Sequence, residues 1–128
     1  MRVLATDLSH PWEITFGPDG YLWVTERTGK QVTRVNANDG TKKVALTMPD
    51  VYQRTIHDGV LGMALHPDLL QDKNNDYVYI AYTYDAAAGA TVDLRATIQR
   101  YTYDSATETL GEPVAIITNL PASSDHNA

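Results

Sequence analysis

Phe16-Gly17-Pro18-Asp19-Gly20-Tyr21-Leu22-Trp23-Val24-Thr25-Glu26 reads as a strand end, a tight turn and a second strand, and the order around it occurs twice. Within the turn, Pro18 presets one backbone torsion and Gly20 supplies a positive φ. A strand Gln31–Val35 follows, then the turn Asn36-Ala37-Asn38-Asp39-Gly40, then a strand Lys42–Thr47. From Gly59 onward the same order returns. Leu65-His66-Pro67-Asp68 matches Phe16-Gly17-Pro18-Asp19, Arg100-Tyr101-Thr102 matches Arg34-Val35-Asn36, and Leu120-Pro121 matches Met48-Pro49. The second unit is longer only through insertions at Leu69–Asp76 and Asp85–Leu94. Asp104–Thr109 closes the later hairpin.

No long segment holds a 3.6-residue apolar period; short alternations bounded by Gly, Pro, Asp and Asn recur instead. Nine strands are predicted: Val3–Asp7, Trp12–Phe16, Tyr21–Glu26, Gln31–Val35, Lys42–Thr47, Leu61–Leu65, Tyr77–Thr83, Thr97–Tyr103 and Val114–Thr118. Ala86–Ala90 lacks helix caps and length, so a loop is expected there. A repeat of four antiparallel strands, ordered inner to outer, is the blade of a β-propeller. The opening Val3–Leu8 resembles Ala115–Leu120 of the second unit, which suggests a displaced outer strand. The expected division is therefore residues 1–10 as that strand, 11–50 as one blade, 51–121 as a second, and 122–128 leading into a third. A small nine-stranded β-sandwich is the alternative.

Composition supports strands and narrows function. Of the 128 residues 43% are hydrophobic and 20% charged, with eight tyrosines. Aromatic and β-branched side chains pack well on a pleated, half-buried surface. The formal charge is −6 with no basic run, which leaves nucleic acid phosphates nothing to dock on. No apolar stretch approaches the roughly 20 residues of a membrane span. There is no cysteine, which excludes disulfides and thiolate sites. Met1-Arg2 runs into a strand-like segment without the apolar stretch of a signal peptide.

The loops that lead into the innermost strands of a propeller converge on its central axis. Three such loops each carry a histidine: Ser9-His10-Pro11, Ile56-His57-Asp58 and Ser124-Asp125-His126. The fourth histidine, His66, sits in a turn at the opposite end of its strand. Histidine is the side chain best suited to take a proton near neutral pH. The neighbouring carboxylates Asp58 and Asp125 suit orientation of an imidazole or binding of hydroxyls. Glu26, Arg27 and Arg34 are expected in surface or inter-blade ion pairs, and the tyrosine runs in strand packing. Asp72–Asp76 lacks the Gly and Glu spacing of an EF-hand and reads as a solvated loop. There is no phosphate loop, nucleophile elbow or HExxH motif.

The strings FGPDGYLWVTERTGKQVTRVN, GVLGMALHPD, YVYIAYTY, IQRYTYDSATETL and LPASSDH, in this order, resemble the soluble PQQ-dependent glucose dehydrogenases of the glucose/sorbosone dehydrogenase family. The likeness runs from Val3 to His126. It implies the first two blades of a six-bladed propeller that oxidises aldoses to lactones by hydride transfer to PQQ, with calcium. It implies His126 as general base and Asp125 as a sugar-contacting carboxylate. His57-Asp58 stands where the glucose dehydrogenases carry Gln-Asn, so His57 and Asp58 fall at a substrate-binding position while departing from the pattern. The resemblance assigns no PQQ-binding or metal-ligating residue to this segment. It further implies an external electron acceptor, a homodimer, and a periplasmic or secreted location. A non-enzymatic propeller segment and a lactonase-type hydrolase are the competing readings.

Overall fold

A computed structural model describes residues 1–87, 89–123 and 125–127. Among these residues there are eight strands and no helix. They are β1 (Pro11–Phe16), β2 (Tyr21–Glu26), β3 (Gln31–Asn36), β4 (Lys42–Thr47), β5 (Val60–Leu65), β6 (Tyr77–Asp85), β7 (Leu94–Asp104) and β8 (Thr109–Pro121). β1-β2-β3-β4 form one antiparallel sheet and β5-β6-β7-β8 a second, both in simple sequence order. These are two blades of a β-propeller.

The turns form as their residues dictate. Gly17 N–H bonds the Tyr21 carbonyl at 2.8 Å, and His66 N–H bonds the Tyr77 carbonyl at 2.9 Å, the same closure in each blade. Asp19 caps its turn by accepting from Tyr21 N–H at 3.2 Å.

The ninth predicted strand, Val3–Asp7, does not form. Its likeness to an outer strand is one of composition, and composition does not supply a ladder partner. The segment is held to the first blade by single bonds: Arg2 to the Asn38 carbonyl at 2.6 Å and Lys42 Nζ to the Thr6 carbonyl at 2.7 Å. Asp7 then leaves the extended region at φ 61°. The segment passes so close to Gly40 that a Cβ there would lie 1.9 Å from the Leu4 carbonyl oxygen.

β8 is much longer than its apolar run, Val114–Thr118, suggests. It absorbs Gly111-Glu112-Pro113 through register shifts against β7, with Glu112 and Asn119 at φ 49° and 56°. An outermost strand tolerates this, because Pro113 owes no donor on the free side.

The core lies between the sheets. Trp23, Val32, Ala45, Met48 and Val51 meet Val60, Met63, Leu69, Val78, Ile80, Tyr82, Tyr101, Tyr103 and Leu110. Innermost strands β1 and β5 touch, as do outermost strands β4 and β8, so the blades stack along their full width. At the outer end, Arg34 is buried at 2% exposure and pairs with Asp19 at 2.6 Å and, across the interface, with Glu108 at 3.2 Å. Its guanidinium lies 4.2 Å from the Tyr21 ring and 5.1 Å from those of Trp23 and Tyr103. Lys43 also pairs with Glu108.

At the inner end, Thr25 Oγ1 donates to the Leu61 carbonyl at 2.8 Å and Arg27 to the Thr55 carbonyl at 2.7 Å. Glu26 and Arg27 thus differ from expectation. Both are buried, and neither forms an ion pair among the described residues; Arg27 bonds backbone carbonyls, and Glu26 accepts from Ser9 N–H, the Thr33 hydroxyl and the Gln31 amide. No helix in the described residues is long and apolar enough to cross a membrane.

Removing one partner of a buried pair strands the other charge, at a cost of about 3–5 kcal/mol. Arg34→Ala is expected to destabilise the chain by that order, read as a lowered urea midpoint. Lys43→Ala, an exposed member of the same group, is expected to cost less than about 1 kcal/mol.

Candidate functional site

The loop before β5 is organised by a carboxylate beneath it. Asp58 is fully buried, and its Oδ1 accepts from Arg54 N–H at 2.7 Å and Thr55 N–H at 2.6 Å. From the first blade, Arg27 grips the carbonyls of Thr55 and Asp58 at 2.7 and 3.2 Å. Gly59 then passes the Arg27 carbonyl with φ 129°, and a Cβ would stand 2.5 Å from that oxygen. Gly59 N–H is taken by Thr83 Oγ1 at 2.8 Å. The result is a pinned loop that presents the His57 ring, with its side chain about one-quarter exposed.

The loop after β8 is closed by Asn127. Its carboxamide accepts from Ser123 N–H at 3.0 Å and donates to the Ser123 carbonyl at 2.7 Å and the His57 carbonyl at 3.0 Å. Asp125 N–H donates to Ser123 Oγ at 3.1 Å. His126 takes a left-handed φ of 55°. Together these bonds bring the two loops into contact. Asp125 Oδ1 lies 3.0 Å from His57 Nε2 and 3.5 Å from His126 Nε2. The imidazole rings stand 5.3 Å apart, tilted by 36°.

His57, Asp125 and His126, three of the residues singled out in the sequence, therefore form one cluster. The others lie elsewhere. Asp58 sits under the loop with its Oδ1 engaged by backbone, so in this structure it shapes the His57 loop and presents no surface to a ligand. His10 is outside the cluster: its Nδ1 meets Thr28 Oγ1 at 2.9 Å. His66 Nδ1 accepts from Asp68 N–H at 3.1 Å in the distant turn. Ser124 lies outside the described residues. Asn127 was missed by sequence reasoning; an Asx side chain just beyond a candidate histidine is the signal that points to it.

Glu26 fastens the His10 loop. Burial pushes its carboxyl upward, but hydrogen bonds from Ser9 N–H, Thr33 and Gln31, with the charge of Lys42, outweigh this and hold it below the ordinary carboxylate value. Chemically, the cluster offers imidazole nitrogens and one carboxylate oxygen, suited to accepting a proton and binding hydroxyls. Arg54, on the same loop as His57, leans toward buried Asp58 at 3.9 Å. Two imidazoles, one carboxylate and an arginine turned toward Asp58 are a proton-handling set rather than a cationic grip for an acidic cofactor.

The sequence profile of the glucose/sorbosone dehydrogenases matches residues 8–128. The chain belongs to this family. Quinoprotein glucose dehydrogenase B of Acinetobacter calcoaceticus is 35% identical over 99% of the chain. The PQQ-bound aldose sugar dehydrogenase of Streptomyces coelicolor superposes with a TM-score of 0.81 over 99% of the chain at 32% identity. The soluble aldose sugar dehydrogenase of Escherichia coli, at 21% identity and a TM-score of 0.72 over 91% of the chain, shares the fold. The chain spans 27% of the Acinetobacter protein, 35% of the Streptomyces one and 32% of the Escherichia one. As a member of the glucose/sorbosone dehydrogenase family it thus corresponds to about a third of its relatives' propeller.

Two consequences are measurable. Asp58→Ala removes the shared acceptor of two part-buried N–H groups, at a cost of up to about 1–3 kcal/mol each; the expected result is a lowered urea midpoint with loss of the His57–Asp125 contact, seen by NMR. A carboxylate with a lowered native pKa contributes stability above its unfolded value, here about 4.5, and loses it as pH falls through the lower native value. Stability should therefore decline less steeply as pH falls below about 4.5 in Glu26→Gln than in the wild type, read by urea denaturation.

Proposed function

We propose that this chain is part of a quinoprotein sugar dehydrogenase that oxidises aldoses to lactones by hydride transfer to PQQ, with His126 as general base. The observation that carries this reading is the convergence of His57, Asp125 and His126 from two different loops. Family membership supports the reaction class, and the PQQ-bound Streptomyces relative supports the cofactor.

The chemistry this chain would contribute is proton transfer. A C–H bond gives up hydride readily only when the neighbouring oxygen carries alkoxide character. A base must therefore take the anomeric hydroxyl proton as hydride leaves the same carbon. His126 is the most exposed member of the cluster, with 86% of its side chain accessible, so a sugar hydroxyl can reach its imidazole. Asp125 Oδ1, within reach of both rings, would orient the imidazole and stabilise the imidazolium that forms. His57 would contact a sugar hydroxyl and hold Asp125 in place. Asp58, buried beneath, acts as a positioning residue for His57.

In this reading residues 122–127 lead into a third blade, and the remainder of the ring holds PQQ and calcium. An external acceptor reoxidises the protein, which works as a homodimer in the periplasm or as a secreted enzyme. His57 in place of the glutamine of the glucose dehydrogenases admits the aldose-dehydrogenase and sorbosone-dehydrogenase subgroups.

Positioned bases contribute about 10²–10⁴-fold to rate. In the full-length parent, His126→Ala is expected to lower kcat by that range while PQQ still binds; near-normal turnover would remove His126 from the role. His57→Gln should change KM and the ranking of sugars more than kcat. The 128-residue chain alone, given PQQ, calcium, glucose and an artificial acceptor, is expected to show no turnover.

A further inference from the structure

We infer that His57, Asp125 and His126 form a site for a divalent transition-metal ion of the zinc class, bound through His57 Nε2, Asp125 Oδ1 and His126 Nε2. The three side chains place their ligand atoms within 4.8 Å of one another. Asp125 Oδ1 lies 3.0 Å from His57 Nε2 and 3.5 Å from His126 Nε2. A tetrahedral ion with bonds of about 2.0–2.1 Å places neighbouring ligand atoms about 3.3 Å apart. The two Asp125 spacings bracket that value, and the third is at most 4.8 Å, so an ion fits after small side-chain rotations.

The donor set selects the ion. Two imidazole nitrogens and one carboxylate oxygen suit zinc, copper or nickel, whereas calcium and magnesium seek oxygen ligands. Three protein ligands leave a fourth position for water. The site is also pre-assembled on its backbone. Asn127 ties the two loops together at the His57 carbonyl, and Arg27 and Asp58 pin the His57 loop from below. Side chains of Asp125 and His126 are exposed, which gives the ion a path from solvent.

Ligation would tie up the His126 imidazole that takes the sugar proton in the proposed function. Metal binding and base catalysis would then exclude each other, making zinc an inhibitor competitive with sugar. That consequence rests on the proposed function; the binding site does not.

The test is calorimetric titration of the chain with zinc chloride in a non-chelating buffer. The expected result is one ion per chain, with His57→Gln and His126→Gln each weakening binding at least about tenfold. His10→Gln and His66→Gln should leave it unchanged. No stoichiometric binding by the wild type, or binding unaltered in both ligand variants, would overturn the site. Since heat of binding is independent of turnover, failure of the sugar-oxidation reading would leave this result standing.

Discussion

One buried guanidinium holds the two blades in register. Arg34 takes an ion pair from Asp19 in its own blade and another from Glu108 in the next, with three aromatic rings around it. Burial by itself would lower its proton affinity, but hydrogen bonds to Asp19 and Glu108 outweigh that and keep it charged. A buried pair of this kind is a weak source of net stability, since desolvation consumes most of the attraction. What it does supply is direction. A planar fork bonded on both sides accepts few arrangements of the two turns that carry its carboxylates. An apolar contact between the blades would permit sliding; this contact does not.

That constraint reaches the candidate site through the sheets. With the outer ends locked at Arg34, the inner ends meet at Thr25, Arg27 and Gly59. Arg27 spends its guanidinium on carbonyls of the His57 loop, so the first blade sets the geometry of a loop that belongs to the second. Asn127 passes the same geometry onward to Asp125 and His126. The cluster is thus the product of contacts between successive units.

This explains which features were legible in the sequence. Turn chemistry is local, so Gly17–Gly20 and Asn36–Gly40 announce hairpins directly, and the repeat of that order announces the blade. The His10 and His57 loops were legible because topology places each just before an innermost strand, β1 or β5. Features that depend on a partner were not. Val3–Asp7 has the composition of an outer strand but not its ladder. The length of β8 depends on bulges that β7 accommodates. Glu26 and Arg27 carry charges that suggest surface or inter-blade pairs, yet their partners are backbone groups, a hydroxyl and an amide brought in by folding. Asp58 and Asn127 look alike as polar loop residues. Only the structure separates the buried organiser from the residue that ties two loops together.

The two blades use the arginine device differently, and the reason is local. Arg100 lies opposite Tyr79 just as Arg34 lies opposite Trp23, and it covers the Tyr77 ring at 4.1 Å much as Arg34 covers Tyr21. The carboxylate equivalent to Asp19 is Asp68. In the first blade that carboxylate belongs to the arginine. In the second, the insertion after Asp68 brings in Lys73 and Asn75, which bond it at 2.8 and 3.3 Å and hold its carboxyl below the ordinary range. Arg100 Nε is left buried with no hydrogen-bond partner among the described residues. The stacking of arginine on tyrosine is therefore a property of the blade, set by strand register. The ion pairs are a property of the turns, and a few inserted residues suffice to redirect them.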